Sequence, residues 1–273
     1  MKKYSILAVL SLIIFGLASC GSDDEPTNTD PDFTVVNDDI AVNAVFEDMD
    51  NYTIQVLQSS GIAFRTQSTF TNSICEGVMV EFDSESQRIE IDFGTGCTSS
   101  TGVVRKGKVI LEYSGNFLIP GSKVTTILDG YEVNGLKVEG TRTLTNTGID
   151  LINSEVTLAV KVDGGKVTWP DGTSVSYSSD QVRSLKLDDQ GYELSITGTA
   201  SGVSRSGVSY TAATTSALEI KQDCVDSGVF LPSSGVIDFV IGGIPASVDY
   251  GTGACDKVLT VTYAGGVKEI TVE

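Results

Sequence analysis

The sequence contains no histidine, one tryptophan, six prolines and only half as many basic as acidic residues. Without histidine, the chain cannot form a Ser-His-Asp or Cys-His catalytic system, an imidazole acid–base pair or a His-ligated zinc site. With 18 basic and 36 acidic residues, the formal net charge is −18, and this excludes nucleic acid as a partner because phosphates require a basic surface. Hydrophobic residues still make up 40% of the 273 positions, so the composition predicts a folded core.

The first twenty residues have the features of a bacterial lipoprotein signal. Two lysines at positions 2 and 3 precede an apolar run over residues 6–17, which is too short for a comfortable membrane span. The sequence Leu17-Ala18-Ser19-Cys20 resembles the bacterial lipobox. This resemblance implies that residues 1–19 are a signal peptide, that the chain is cut before Cys20, and that acyl chains on Cys20 anchor the protein to a membrane. An ordinary signal peptide with an incidental cysteine is the alternative.

A short acidic stretch follows the lipobox. The sequence Gly21-Ser22-Asp23-Asp24-Glu25-Pro26 resembles the surface-export signal of Bacteroidota lipoproteins. The resemblance implies a lipoprotein of the outer membrane that is exposed at the cell surface, and it implies no activity. A solvated acidic tether over residues 20–36 would have the same composition. Loss of residues 1–19 leaves 16 basic and 36 acidic residues, so lipid must hold a chain of net charge −20 at an anionic membrane.

From residue 37 to residue 273 the pattern predicts an all-β domain with one N-terminal helix. Apolar residues recur at three- and four-residue steps over residues 38–59, with Asn37, Asp38 or Asp39 as the cap. From about residue 76 onward apolar and polar residues alternate, and turns rich in glycine and aspartate separate the runs. We therefore expect an antiparallel meander of long hairpins, arranged as a sandwich or as one curled sheet or barrel.

Four cysteines lie in two similar segments, residues 75–115 and 224–265. In each segment a cysteine is followed by Gly-Val, then by aliphatic-Asp-aromatic-Gly-Thr-Gly, then by a second cysteine and a strand. This pattern indicates an internal duplication. Disulfides are expected in a secreted protein, and the repeat symmetry pairs Cys75 with Cys97 and Cys224 with Cys255. One long bridge between the copies, Cys75–Cys255, is the alternative, and a thiolate metal site is disfavoured because no CxxC pair is present.

The repeated motif also supplies a pair of carboxylates that could act together. Asp92 and Asp249 hold the same place in the two copies, and glycosidases use two carboxyl groups about 5 to 9 Å apart. The favoured interpretation is a tight turn, in which each aspartate accepts hydrogen bonds from backbone amides beside its cysteine. Asp92 and Asp249 are therefore the candidate site residues, and we expect no metal and no cofactor.

Three functions follow from these features. The tether, the β repeats and the lack of a recognisable catalytic set favour a lipid-anchored outer-membrane surface protein with a non-catalytic structural or binding domain. Its partner would be a glycan or a protein of the envelope. The alternatives are a polysaccharide-active enzyme that depends on carboxylates alone, and an accessory lipoprotein of an envelope transport or assembly complex.

Overall fold

The structure, a computed structural model, describes residues 30–61, 74–75, 77–100, 102–188 and 191–272. The predicted signal peptide, Cys20 and the first ten residues of the tether lie outside this part of the chain. The described part begins with a long helix, α1 (Thr34–Ser59), and a short helix, α2 (Gln222–Asp226), separates strands β10 and β11. The strands are β1 (Met79–Asp83), β2 (Arg88–Asp92), β3 (Cys97–Thr98), β4 (Val104–Tyr113), β5 (Lys123–Val133), β6 (Leu136–Asp150), β7 (Glu155–Thr168), β8 (Ser174–Asp188), β9 (Gly191–Val203), β10 (Ser209–Lys221), β11 (Ser234–Ile241), β12 (Ile244–Thr252), β13 (Val258–Tyr263) and β14 (Gly266–Thr271).

These strands form a single antiparallel sheet. Each strand pairs with the next one along the chain, except that β2 and the short β3 both pair with β4. The predicted all-β meander with an N-terminal helix is therefore confirmed. The sheet is open, with β1 and β14 at its edges, so neither a sandwich of two sheets nor a closed barrel describes the fold.

Helix α1 begins four residues earlier than the pattern predicts. The Asp32 carboxylate accepts hydrogen bonds from the backbone N–H of Thr34 at 3.1 Å and from its hydroxyl at 2.6 Å. This side chain therefore satisfies one of the free amides at the start of the helix, a role that the sequence assigned to residues 37–39. Val35 and Val36 are fully buried, so residues 34–36 belong to the folded domain and not to the tether.

The sheet surrounds much of α1. Residues 42–57 of the helix contribute to a core formed with β1 to β8, whereas Val35 and Val36 contribute to a second core formed with β9 to β13. Among the helix side chains that the structure describes, only those of Thr34, Asn37, Ala44 and Ser59 are exposed. A helix on a flat sheet would expose a whole face to solvent, so the sheet is curved around this one.

Three inward-facing arginines fix the helix to the sheet. Arg105 on β4 pairs with Asp48, and Arg142 on β6 donates two hydrogen bonds to Asp50 at 2.7 and 2.6 Å. Arg183 on β8 lies 3.3 Å from a Glu47 oxygen. Buried charges are tolerated only when they are paired and hydrogen-bonded, so these contacts specify the position of α1 on the sheet.

The two cysteine segments adopt matching arrangements. The structure contains the disulfides Cys75–Cys97 and Cys224–Cys255, which confirms the pairing that the repeat symmetry predicts and excludes a bridge between the copies. Each segment contains a hairpin followed by the next strand of the sheet: β1, β2 and β4 in the first, and β11, β12 and β13 in the second. The disulfide of each segment therefore joins the chain before the hairpin to the loop after it.

Candidate binding site

Asp92 and Asp249 each close a turn of their own. The Asp92 carboxylate accepts the backbone N–H of Gly94 at 2.7 Å, and the Asp249 carboxylate accepts that of Gly251 at 2.8 Å. Both glycines have positive φ, 59° and 95°, a conformation that a side chain would disfavour. The hydrogen bond from Gly94 holds the pKa of Asp92 below its usual value, and an ion pair with Lys108 adds to this effect.

The structure does not bring these two aspartates together. Strands β4 to β11 lie between β2 and β12 in the sheet order, and both aspartates alternate with inward-facing neighbours, so they point to the outer face. Among the described residues no hydrogen bond or ion pair joins Asp92 to Asp249. Each carboxylate binds a backbone amide of its own turn, and the two do not face a common cleft.

The described residues offer a poor metal site. Their only cluster of ligand-type side chains is Asp223 with Cys224 and Cys255. Both sulfur atoms of that cluster form the disulfide, and metal ions bind thiolates rather than disulfide sulfurs.

The candidate site is a cavity between α1 and strands β8 to β12. Its empty volume of about 730 Å³ includes open solvent at the mouth. Most of the wall is apolar and comes from the helix, β9, β10 and β11. The apolar lining residues are Ile40, Ala44, Ile196, Ala200, Ala212, Ala213, Leu218, Ile220, Phe230, Leu231, Pro232 and Ile237.

An irregularity in β10 explains why the helix and the sheet separate here. Pairing of β10 with β9 is regular up to Ala213 and resumes only at Leu218. Within the gap, the Thr214 hydroxyl accepts the backbone N–H of Gly198 at 2.8 Å, which replaces a backbone partner. Such a bulge bends a strand locally, and the small residues Ala212 and Ala213 do not fill the space that it leaves.

A cluster of hydrogen-bonded side chains forms the polar end of the cavity. The Asp39 carboxylate accepts the Tyr210 hydroxyl at 2.9 Å through one oxygen and the Asn43 amide at 3.1 Å through the other. Asn43 in turn accepts the Tyr177 hydroxyl at 2.7 Å. Asp39, Asn43 and Tyr177 line the cavity, so a ligand can reach this cluster.

Asp39 differs from Glu47, Asp48 and Asp50 of the same helix because no cation pairs with it. Glu47, Asp48 and Asp50 each pair with an arginine, whereas no described lysine or arginine forms an ion pair with Asp39. Burial raises the pKa of Asp39 to about 6, although the hydrogen bonds from Tyr210 and Asn43 oppose the shift. The group is therefore a buried carboxyl that is still mostly ionised at neutral pH.

Tyr250 adds a free hydroxyl to the same end. This side chain is only 6% exposed and lines the cavity, yet its hydroxyl forms no hydrogen bond with any described residue. Burial raises the pKa of Tyr250, and the nearby carboxylates of Asp39 and Glu47 raise it further. The hydroxyl can be reached from the cavity, so a ligand there can form a hydrogen bond with it.

Tyr250 is also the position at which the two duplicated segments differ in chemistry. It is the aromatic residue of the second aliphatic-Asp-aromatic-Gly motif, and the equivalent residue of the first motif is Phe93. Phe93 is buried among Tyr52 and Tyr131 in the other core, whereas the hydroxyl-bearing copy faces the cavity. The sequence therefore contained a signal for this site, in the aromatic residue rather than in the aspartate beside it.

The mouth of the cavity lies beside the loop between α2 and β11. Phe230 in this loop lines the cavity and is 69% exposed, and Ala44 contributes an exposed methyl group from the helix. The Cys224–Cys255 disulfide joins α2, which precedes this loop, to the segment that follows β12, and β12 carries Tyr250. The disulfide thus connects two walls of the site.

A second, shallower groove lies on the outer face of β7 to β11. Its lining includes charged and hydroxyl side chains such as Asp163, Asp180, Ser201 and Thr211. No aromatic side chain lines it, although sugar rings are commonly bound by stacking on such residues. The inner cavity is the better candidate because it combines a mostly apolar wall with a cluster of polar side chains at one end.

Comparison of the chain with protein-family models, curated proteins and solved structures finds no match. Neither described helix combines the length and the apolar character that a membrane-spanning helix needs.

Proposed function

We propose that this protein is a lipid-anchored, non-catalytic binding protein of the outer membrane, and that it holds a small apolar ligand in the cavity between α1 and the sheet. The anchoring part of the proposal rests on the lipobox and on the acidic residues after Cys20. The binding part rests chiefly on one observation: an apolar cavity that contains the free hydroxyl of Tyr250.

The enclosure of the cavity supports binding rather than surface adhesion. Its wall is mostly apolar, and transfer of apolar ligand surface from water to such a wall contributes about 25 cal/mol per Å². The site is largely preformed because the helix on one side is fixed by ion pairs and the loop on the other by a disulfide. Preformed sites lose little conformational freedom when a ligand binds.

The experiment uses the chain from Cys20 onward, produced without lipid, and titrates it into N-phenyl-1-naphthylamine, an uncharged apolar fluorophore. Binding in the cavity predicts a saturable rise in fluorescence with one site per chain. The variant Ala44→Phe places a ring in the mouth of the cavity and should weaken binding at least tenfold. Ala41→Phe is the matched control because Ala41 lies on the same helix outside the cavity lining.

Both substitutions carry the same small cost in helix propensity, so propensity cannot explain a difference between them. An equal affinity of the two variants for the fluorophore would show that it binds elsewhere. A wild-type protein that binds neither the fluorophore nor a small eight-carbon ligand such as 1-octanol would overturn the proposed function.

A further inference from the structure

The chemistry of the polar end indicates what kind of ligand the cavity accepts. Asp39 and Glu47 are both close enough to Tyr250 to raise its pKa, so negative charge dominates this end. Glu47 is balanced by Arg183, and Asp39 is balanced by no described cation. A carboxylate or phosphate placed here would face like charge in a medium of low dielectric, which costs several kcal/mol.

We propose that the cavity binds a small apolar amine, whose ammonium group donates hydrogen bonds to the Asp39 carboxylate and to the Tyr250 hydroxyl while its hydrocarbon part contacts the apolar wall. This inference rests on the proposed function, since it names the ligand class of the same cavity. Both protein acceptors have free capacity. Each Asp39 oxygen accepts one hydrogen bond from the protein, at 2.9 and 3.1 Å, and can accept another. The Tyr250 hydroxyl accepts none from a described residue.

The energetics favour an amine over an uncharged ligand of the same size. Burying a new ion pair usually gains little, because both charges must leave water. Here the Asp39 carboxyl is already buried in the folded protein, so only the ammonium loses its hydration when the ligand binds. The Coulomb attraction is therefore opposed by one desolvation cost instead of two.

The test compares three probes with the same eight-carbon chain: octylamine, 1-octanol and octanoate. Calorimetric titration into the wild-type chain from Cys20 onward, at neutral pH and physiological ionic strength, should show octylamine binding at least tenfold more tightly than octanol. Octanoate should bind more weakly than octanol. This order separates recognition by charge from burial of the octyl chain, which is the same in all three probes.

Two variants assign the preference to the proposed residues. Asp39→Asn should remove the advantage of octylamine over octanol. Asp38→Asn is the matched control: Asp38 is a buried neighbour that does not line the cavity, and its carboxylate accepts the backbone N–H of Arg205 at 2.9 Å. That variant should keep the full preference for octylamine over octanol.

Tyr250→Phe should weaken octylamine binding several-fold, whereas Tyr131→Phe in the other core should not change it.

The outcomes distinguish this inference from the function on which it rests. If octanol binds as tightly as octylamine, the inference that the ligand is an amine is wrong, but the proposal that the cavity binds apolar ligands still holds. A preference for octylamine that persists in Asp39→Asn would also overturn the inference, because the ammonium would then bind elsewhere on an acidic surface. An unchanged octylamine affinity in Tyr250→Phe would overturn the contact with that hydroxyl. If neither the three octyl probes nor the apolar fluorophore binds, the proposed function itself fails.

Discussion

Arg142 shows how a single residue can fix the position of a helix. Its side chain is 2% exposed, and it donates two hydrogen bonds to Asp50. The guanidinium also lies 5.8 Å from the centre of the Phe46 ring. Planar, paired hydrogen bonds of this kind restrict both the distance and the angle between the two side chains.

Replacement of Arg142 by methionine should lower the free energy of unfolding by about 3 kcal/mol, because it removes both hydrogen bonds to the buried Asp50 and leaves only the longer ion pair with Arg183, at 3.5 Å. The measurement is urea denaturation followed by circular dichroism. Lys137→Met is the control on the same strand, since Lys137 forms an ion pair with Glu139 at the surface. With both side chains about half exposed, that pair should contribute less than about 1 kcal/mol. Equal losses in the two variants would contradict a special role for the buried pair.

The buried carboxyl of Asp39 should make stability depend on pH. Its pKa is about 6 in the folded protein and near its ordinary value when unfolded, so the folded state holds the proton over this interval. Stability relative to Asp39→Asn should therefore fall as pH rises from about 4 to 6, by at most about 3 kcal/mol, and then level off. The neighbouring tyrosines do not titrate in this range. Measuring the difference between wild type and variant at several pH values isolates the carboxyl from any constant cost of the substitution.

Asp32→Asn supplies a control with the opposite sign. Hydrogen bonds from Ser206 and Thr34 lower the pKa of Asp32, so its contribution is present at neutral pH and disappears as pH falls through that lowered pKa. The difference between wild type and this variant should therefore grow with pH. The same trend in both variants would contradict the assignment of the buried carboxyl.

Individual residues of the site were only partly visible in the sequence. Arg105, Arg142 and Arg183 stand at positions where the alternation of their strands calls for an apolar residue, and an arginine at such a position predicts a buried ion pair. The partner acids could not be assigned from periodicity because the rotation of the helix on the sheet decides which acids face inward. Asp39 was interpreted as a helix cap for the same reason.

At the scale of elements, the meander was predictable and its curvature was not. Long alternating runs separated by turns define consecutive antiparallel strands, and the structure contains them in that order. The alternation of apolar and polar residues predicts which side of a strand is buried, but it does not predict how far a sheet curves or whether its edge strands pair. The bulge near Thr214, which opens the cavity, is likewise a property of two strands together.

The two disulfides should differ in function although they arise from the same repeat. Replacing either pair by alanine should lower stability by about 3 to 4 kcal/mol, because the closed loops of 22 and 31 residues are similar in length. Only the Cys224→Ala/Cys255→Ala variant should also weaken binding of the apolar fluorophore, since this disulfide holds the loop of Phe230 beside Tyr250. Fluorophore titration and urea denaturation of both double variants separate the two effects.

The duplicated chain thus provides its own matched control. The Cys75→Ala/Cys97→Ala variant should lose stability and keep its affinity for the fluorophore, because that disulfide lies in the core remote from the cavity. If both double variants lose affinity equally, the effect comes from general loosening of the fold, and the proposed role of the second disulfide is wrong.

At the scale of the whole molecule, the tether and the cavity loop lie at opposite ends of the sheet. Near the start of the described chain, Asp32 accepts the Ser206 hydroxyl at 2.7 Å, and the Phe33 ring lies 5.1 Å from that of Tyr263. Ser206 lies between β9 and β10, and Tyr263 ends β13, so both belong to the same end of the meander. The loop of Phe230 follows β10 and therefore lies at the other end.

The anchor itself can be tested on the complete protein in a Bacteroidota host. Cys20→Ala should move the protein from the membrane fraction to the soluble fraction, because an acidic chain has no electrostatic attraction to an anionic membrane. A second variant, Asp23→Asn/Asp24→Asn/Glu25→Gln, keeps the cysteine and removes the acidic run. It should remain in the membrane fraction but become protected from a protease added to intact cells, whereas the wild type is cleaved. Membrane association of Cys20→Ala would contradict lipid anchoring, and continued cleavage of the triple variant would show that the acidic run is only a solvated tether.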